Sequence, residues 1–403
     1  MFVNTFWSLV PPIVAIGLAL LTKETYSSLF IGIVVGALLA TDFSPIGALD
    51  TIINDGLTAA IADNAGIFLF LVILGVMVAL VNATGGSAAF GRWAASHIHS
   101  KAGALLATFA LGVLIFIDDY FNCLTVGSVM TPVTDSQRIS RVKLAYLIDA
   151  TAAPICMIAP ISSWAAAVSG VAAKLDTGVS GIQLFIEAIP YNFYSLLTIV
   201  FVITMVVLGV DYGPMAAAEL KAAQTGDLGA LSEEQEEGSS RANMWDMLIP
   251  IILLIIFCVI GLIYVGGFWD PETNAGDFIA AFGDTDAFVG LPWGALIALV
   301  LSIIYLCARR VITFKGAMGC MTKGFNAMVP AILILTFAVS LKSMTGLLGA
   351  ADYVEGLMKQ ASEGLFMLLP AIIFVVACLL AFATGTSWGT FGILIPIVLP
   401  IFN

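Results

Sequence analysis

The forty residues from 364 to 403 carry no charged side chain. As a single helix rising about 1.5 Å per residue they would extend about 60 Å, twice the hydrocarbon thickness of a bilayer. The run must fold back on itself or leave the membrane. Its middle, ATGTSWGTFG from Ala383 to Gly392, clusters small and hydroxyl residues that break a helix and leave backbone groups to be paired elsewhere. Other charge-free runs have the length of one crossing: 25 to 41, 64 to 91, 150 to 173, 188 to 210, 247 to 269, 287 to 308 and 324 to 341, with a further apolar segment at 6 to 22. A spanning helix needs about 20 such residues. With 60% hydrophobic and 10% charged residues the chain exceeds the roughly 45–50% apolar content of soluble domains, so a water-soluble globule is excluded.

A second stretch departs from the single-crossing pattern. FIDDYFN at 116 to 122 interrupts an apolar run with two adjacent carboxylates. Both interruptions read as tips of re-entrant hairpins, 102 to 134 and 364 to 403, because non-helical backbone at membrane depth survives only under protein or beside a watery cavity. Arg92 and Lys101 precede the first hairpin, and Arg138, Arg141 and Lys143 follow it. The excess of basic residues on cytoplasmic loops then puts both of its ends in the cytoplasm, and the acidic loop from 270 to 286 outside.

The polar segment 211 to 244, with SEEQEEGSS at 232 to 240, is too short for a domain and reads as an acidic cytoplasmic linker. Within it, 215 to 224 suits a short surface helix without chemistry of its own. It separates a first transmembrane half, 1 to 210, from a second, 245 to 403. The halves resemble each other weakly. NATGG at 82 to 86 matches KSMTGL at 342 to 347, pairing Gly85 with Gly346 (346 − 85 = 261). VGSVMTPV at 126 to 133 matches TFGILIPIV at 390 to 398, pairing Pro132 with Pro396 (396 − 132 = 264). Under the charge-derived topology the helix at 66 to 82 runs inward and its counterpart at 326 to 341 outward, an inverted repeat. Residues 143 to 210 have no counterpart, so the second repeat is expected to be incomplete and the chain to be a fragment lacking roughly 70 residues. The fold class is an all-α polytopic membrane protein, an inverted-repeat secondary transporter with re-entrant hairpins and broken helices.

Ionisable groups at membrane depth cost about 2.5 to 3.5 kcal/mol on insertion scales and mark ion or substrate paths. Asp118, Asp119 and Asn122 sit on the first tip. Asp149 lies in LIDATAAPICMIAPISSW, where Pro154 and Pro160 interrupt a helix spanning 141 to 174. Unwinding there frees carbonyls beside Thr151, Ser162 and Ser163, oxygen ligands suited to a hard cation, with sodium placed at Asp118 and Asp149. Thr384, Thr386 and Ser387 occupy the second tip, opposite Tyr120, Asn122 and Cys123 at the offset of 264; they are read equally as ligands or as packing hydroxyls. Trp164 and Trp388 wall a pocket or simply pack, and His97 and His99 fit an interfacial segment.

Other functions are poorly served. The formal charge of −12 argues against nucleic acid. The six cysteines form no C-x-x-C pair and read as core residues. MFVNTFWSLVPP lacks the basic start and small-residue cleavage site of a signal peptide. No P-loop, G-x-S-x-G elbow or H-E-x-x-H is present, and an intramembrane aspartyl hydrolase using Asp118 and Asp149 would lack its G-x-G-D motif.

The runs FIDDYFNCLTVGSVMTPVTD and RVKLAYLIDATAAPICMIAPISSWAA, with FATGTSWGTFGILIPI at 382 to 397, resemble the NhaC-type sodium/proton antiporter family within the ion transporter superfamily. The resemblance covers most of 50 to 403. A further polar motif usual in that family, of the G-D-H-C-S-P-I-S-D-T type, is absent from this chain. The resemblance implies secondary transport on an inverted-repeat fold, with ion binding near Asp118, Asp119, Asp149 and the neighbouring hydroxyls. The expected function is sodium/proton antiport in the cytoplasmic (inner) membrane; the alternative is a sodium-coupled carrier of an amino acid or organic acid. Expected partners are membrane lipid and small ions or a small organic solute, with no nucleic acid, no cofactor beyond the transported sodium and proton, and homodimerisation left open.

Overall fold

The computed structural model describes residues 2–22, 24–98, 100–116, 119–160, 162, 164–165, 168, 181–229, 241–350, 352–353, 356, 368–384 and 394. Among the described residues every regular element is helical, and five helical stretches are long and apolar enough to cross a membrane: Ala65–Thr84, Phe193–Thr225 (divided at the left-handed Gly209), Trp245–Val265, Phe288–Ala308 and Phe314–Leu347. The protein is an all-α polytopic membrane protein. It divides into two compact units, one formed by 1–68 with 328–403 and the other by 69–327.

The first unit opens with α1 (Val10–Thr22) and α2 (Thr25–Ala40). Glu24 caps α2, its carboxylate accepting from the Tyr26 and Ser27 N–H groups at 3.1 and 2.7 Å. Gly32 and Gly36 form a small-residue face on α2 that lets other backbones approach. A Cβ at Gly32 would stand 2.9 Å from Ala15 Cβ, and one at Gly36 2.7 Å from Met344 Cβ. Around that face Ala15, Leu29, Ile33, Ala37, Ala48, Ile52, Leu341 and Met344 make the unit's core. Beyond α2, α3 (Pro45–Thr51) passes through a wide π turn at Ile52–Thr58 into α4 (Ala59–Asp63).

The charge-free run 64 to 91 does not form one rod. It gives α5 (Ala65–Thr84) and α6 (Gly86–His97), separated by Gly85 at φ 80°, a left-handed conformation that ends helices and that glycine alone adopts without strain. α7 (Lys101–Leu114) and α8 (Asp119–Ser136) follow, then α9 (Arg141–Cys156). Short α10 (Gly181–Ala188) precedes α11 (Phe193–Leu208) and α12 (Gly213–Thr225). α13 (Trp245–Val265) leads through α14 (Phe278–Gly283) to α15 (Ala287–Ala308). α13 and α15 meet along a seam of glycines, where a Cβ at Gly294 would fall 2.1 Å from Phe257 O and one at Gly261 2.3 Å from Gly290 O.

α16 (Phe314–Leu347) is longer than the run 324 to 341 that the charges delimit. At 34 residues it extends about 51 Å, more than one crossing needs, and takes in Lys315, Lys323 and Lys342. Gly346 stays helical, and the left-handed residue that ends α16 is Gly349 at φ 68°. Pairing it with Gly85 gives an offset of 264 (349 − 85 = 264), the value already set by Pro132 and Pro396. The last described helix is α17 (Leu369–Thr384).

Candidate functional site

α7 stops at Leu114, and Ile115 leaves helical geometry with ψ 62°. Two adjacent carboxylates cannot extend an apolar helix cheaply, whereas an acid in a first helical turn faces the positive end of the helix dipole. The chain restarts as α8 at Asp119, which is 8% exposed.

Asn122, one turn into α8 and fully buried, closes the break. Its Nδ2 donates to Gly112 O at 2.6 Å and to Ile115 O at 2.7 Å, satisfying carbonyls that the end of α7 leaves open. Two carbonyl acceptors require the amide nitrogen on that side, so Oδ1 must point the other way. That oxygen is buried and has no hydrogen-bond partner among the described residues. A buried acceptor left so is costly and calls for an explanation.

Thr151 of α9 approaches the same place. It is fully buried and donates back to Leu147 O at 2.7 Å, which leaves the oxygen's lone pairs to face α7. Gly112 makes room: a Cβ there would stand 2.9 Å from Thr151 Oγ1 and 3.7 Å from Asn122 Oδ1. Two neutral oxygens from α8 and α9 thus converge beside α7, with a buried carboxylate in the same first turn of α8. No three His, Cys, Asp or Glu side chains among the described residues could hold a metal ion together. A cation here would be held by amide, hydroxyl and backbone oxygens near one carboxylate, a donor set that suits a hard ion.

The other residues expected from the sequence fall as follows. Asp149 is exposed on α9, two residues from buried Thr151 and therefore about 200° around the helix from it. Ser162 is fully buried and spoken for: its hydroxyl donates to Cys156 O at 2.7 Å and accepts from Ala165 N–H at 3.2 Å, bridging the end of α9 to the next turn. Asp118, Ser163, Thr386, Ser387, His99 and Trp388 lie outside the described residues. Thr384 ends α17 in the other unit. His97 packs against Trp93 with ring centroids 4.9 Å apart and the planes tilted by 34°, on an exposed stretch.

At their far ends α7 and α8 come together again, where Gln137 Nε2 donates to Ile98 O at 3.3 Å. Ser100 and Ser136, both exposed, flank this closure. Single cysteines placed at these positions are expected to react with a membrane-impermeant thiol reagent from the same side of sealed vesicles. Opposite sidedness would rule out re-entry.

Two polar groups escaped the sequence reading. Asp246 is fully buried at the start of α13, gripped by Arg309 through Nε and Nη2 at 3.0 Å each and approached by Tyr305 Oη at 3.3 Å. Glu219 of α12 is also buried, so the first part of the segment from 211 is docked against helices and is not a free connector. The signal for Asp246 was present: an acid and an arginine bound consecutive apolar runs, which brings them to one end of a helix pair.

The sequence model of a family described as "Na+/H+ antiporter family" matches residues 155–403. A protein of Haemophilus influenzae (strain ATCC 51907 / DSM 11121 / KW20 / Rd), described only as an uncharacterized protein, is 33% identical over 411 residues, covering 98% of this chain and 77% of its own length. No solved structure matches.

Proposed function

The chain belongs to the Na+/H+ antiporter family, and from that premise we propose that it exchanges sodium for protons at the break between α7 and α8. It is a secondary transporter acting as a sodium/proton antiporter. The assignment of the exchange to this break is carried by one observation, the buried Oδ1 of Asn122, without a hydrogen-bond partner among the described residues, facing Gly112 together with Thr151 Oγ1. Around it, a proton and a sodium ion compete for the Asp119 carboxylate, because an enclosed carboxylate is stable at membrane depth only with its charge compensated. Bound sodium takes neutral oxygens from Asn122 and Thr151 as well, whereas a proton needs none of them. Competition for one carboxylate couples the two fluxes without any other energy source.

The sodium-coupled carrier of an organic acid is not favoured. An organic carboxylate would need hydrogen-bond donors, and the described groups at the break present acceptor oxygens. The NhaC-type branch and a cytoplasmic-membrane location rest on the motif runs around 116 to 135 and 141 to 166.

The test uses vesicles with sodium titrated against proton movement at matched protein level. Asn122→Ala is expected to raise the half-saturating sodium concentration about tenfold and Thr151→Val about threefold, the scale of one hydrogen-bonding group each. Wild-type sodium dependence in both variants would take the break out of the mechanism.

A further inference from the structure

Glu219 touches both helices that frame the candidate site, at the end remote from it. Its Oε1 accepts from the backbone N–H of Ser140 at 2.6 Å, and Ser140 is the N-cap of α9. Its Oε2 lies 3.7 Å from Nζ of Lys101, the first residue of α7. The flanks of the same segment are pinned to the first turn of α9, by Lys143 Nζ donating to Asp211 Oδ2 at 2.8 Å and by Arg141 N–H donating to Leu228 O at 2.8 Å. Lys143 and Glu219 are both buried, so the contacts to Asp211 and to Ser140 are enclosed, while the Lys101 side chain is 47% exposed.

The remote end of α7 lies about 20 Å away along its axis. There Gly112 meets Thr151 so closely that no Cβ fits, and the Gly112 and Ile115 carbonyls hold Asn122. The spacing of Asn122 Oδ1 and Thr151 Oγ1 therefore follows the register of α7 against α9. Two helices held at one end can still slide or splay; held at both ends they keep one register. Glu219 supplies the second hold.

We propose that Glu219 is a positioning residue for cation binding: by tying the starts of α7 and α9 together it fixes the oxygen spacing at the other end of the pair. The inference rests on the reading of the break as the cation site.

The experiment is a sodium titration of proton movement by the full chain in proteoliposomes, normalised to reconstituted protein. Glu219→Ala is expected to raise the half-saturating sodium concentration about 2- to 30-fold, the usual range for coupling between separated positions, and to leave the maximal rate within about twofold. Glu219→Gln is expected to fall between the wild type and Glu219→Ala, because its amide oxygen still accepts from Ser140 N–H and keeps the hold on α9, whereas the pairing with Lys101, its hold on α7, is lost. Wild-type half-saturation in Glu219→Ala overturns the proposal, and so does a fall in maximal rate alone or wild-type half-saturation in Glu219→Gln. If Glu219→Ala does not accumulate, Glu219→Asp takes its place: it keeps the charge but withdraws it by one carbon–carbon bond, and a smaller rise is expected, wild-type kinetics again overturning the idea. Asn122→Ala is measured alongside. A shift there without one in the Glu219 variants defeats the positioning role alone, and no shift there defeats the site reading on which it rests.

Discussion

Asp119→Asn is expected to leave the protein in the membrane and to cut sodium-driven proton movement by about a hundredfold or more, roughly 2.7 kcal/mol or greater in barrier terms. The reason is chemical. Asparagine is nearly the same shape as aspartate but cannot carry a transferable proton or offer a sodium ion a full negative charge. The variant should therefore bind sodium weakly and release no proton when it does. Asp149→Asn provides the contrast. Its side chain is exposed, so the change is expected to slow ion arrival, lowering the rate at low sodium and leaving saturating exchange close to normal. Parallel measurement of both variants, as initial rates of internal pH change against sodium, decides the assignment. An inactive Asp149→Asn beside an active Asp119→Asn would move the carboxylate of exchange from α8 to α9.

The second large effect concerns the folded state. Removing the Arg309 side chain leaves the carboxylate of Asp246, fully buried in the intact protein, with the Asn243 N–H at 2.9 Å and Tyr305 Oη at 3.3 Å as its remaining partners among the described residues. Breaking a buried pair from one side costs about 3–5 kcal/mol. The Arg309 side chain is 35% exposed, so water reaches the vacated position and about 2–4 kcal/mol is the better expectation. Arg309→Ala should thus lower the thermal unfolding midpoint clearly in detergent. Asp246→Asn combined with Arg309→Ala should recover part of the loss, since the double change leaves no buried charge. A single Arg309→Ala that melts with the wild type would show that the pair contributes nothing.

The membrane helices were legible because charge is forbidden in hydrocarbon, so gaps between charges mark the crossings. Asn122 was legible as well, lying inside the one apolar run that carboxylates interrupt. What sequence could not give was direction around a helix. α9 is apolar on most of its circumference, and only packing reveals that Thr151 faces inward while Asp149 faces out. Glu219 was missed because a short helix rich in alanine beside an acidic tract reads as solvated, and the contacts that bury it come from residues about 80 and 120 positions earlier in the chain.

The glycine seam between α13 and α15 bears on how exchange can proceed. Side chains packed between two helices can change rotamer and let the helices shift. Backbone resting on backbone cannot, because Gly261, Gly290 and Gly294 have no rotamers to change. α13 also rests against α6, where a Cβ at Gly86 would stand 3.0 Å from the Asp246 carbonyl carbon. Any machine in which one part rocks needs a stator, and this pair has the build of one: it gives neither by sliding nor by repacking, so if exchange proceeds at the proposed break, movement is left to the joints around α7, α8 and α9.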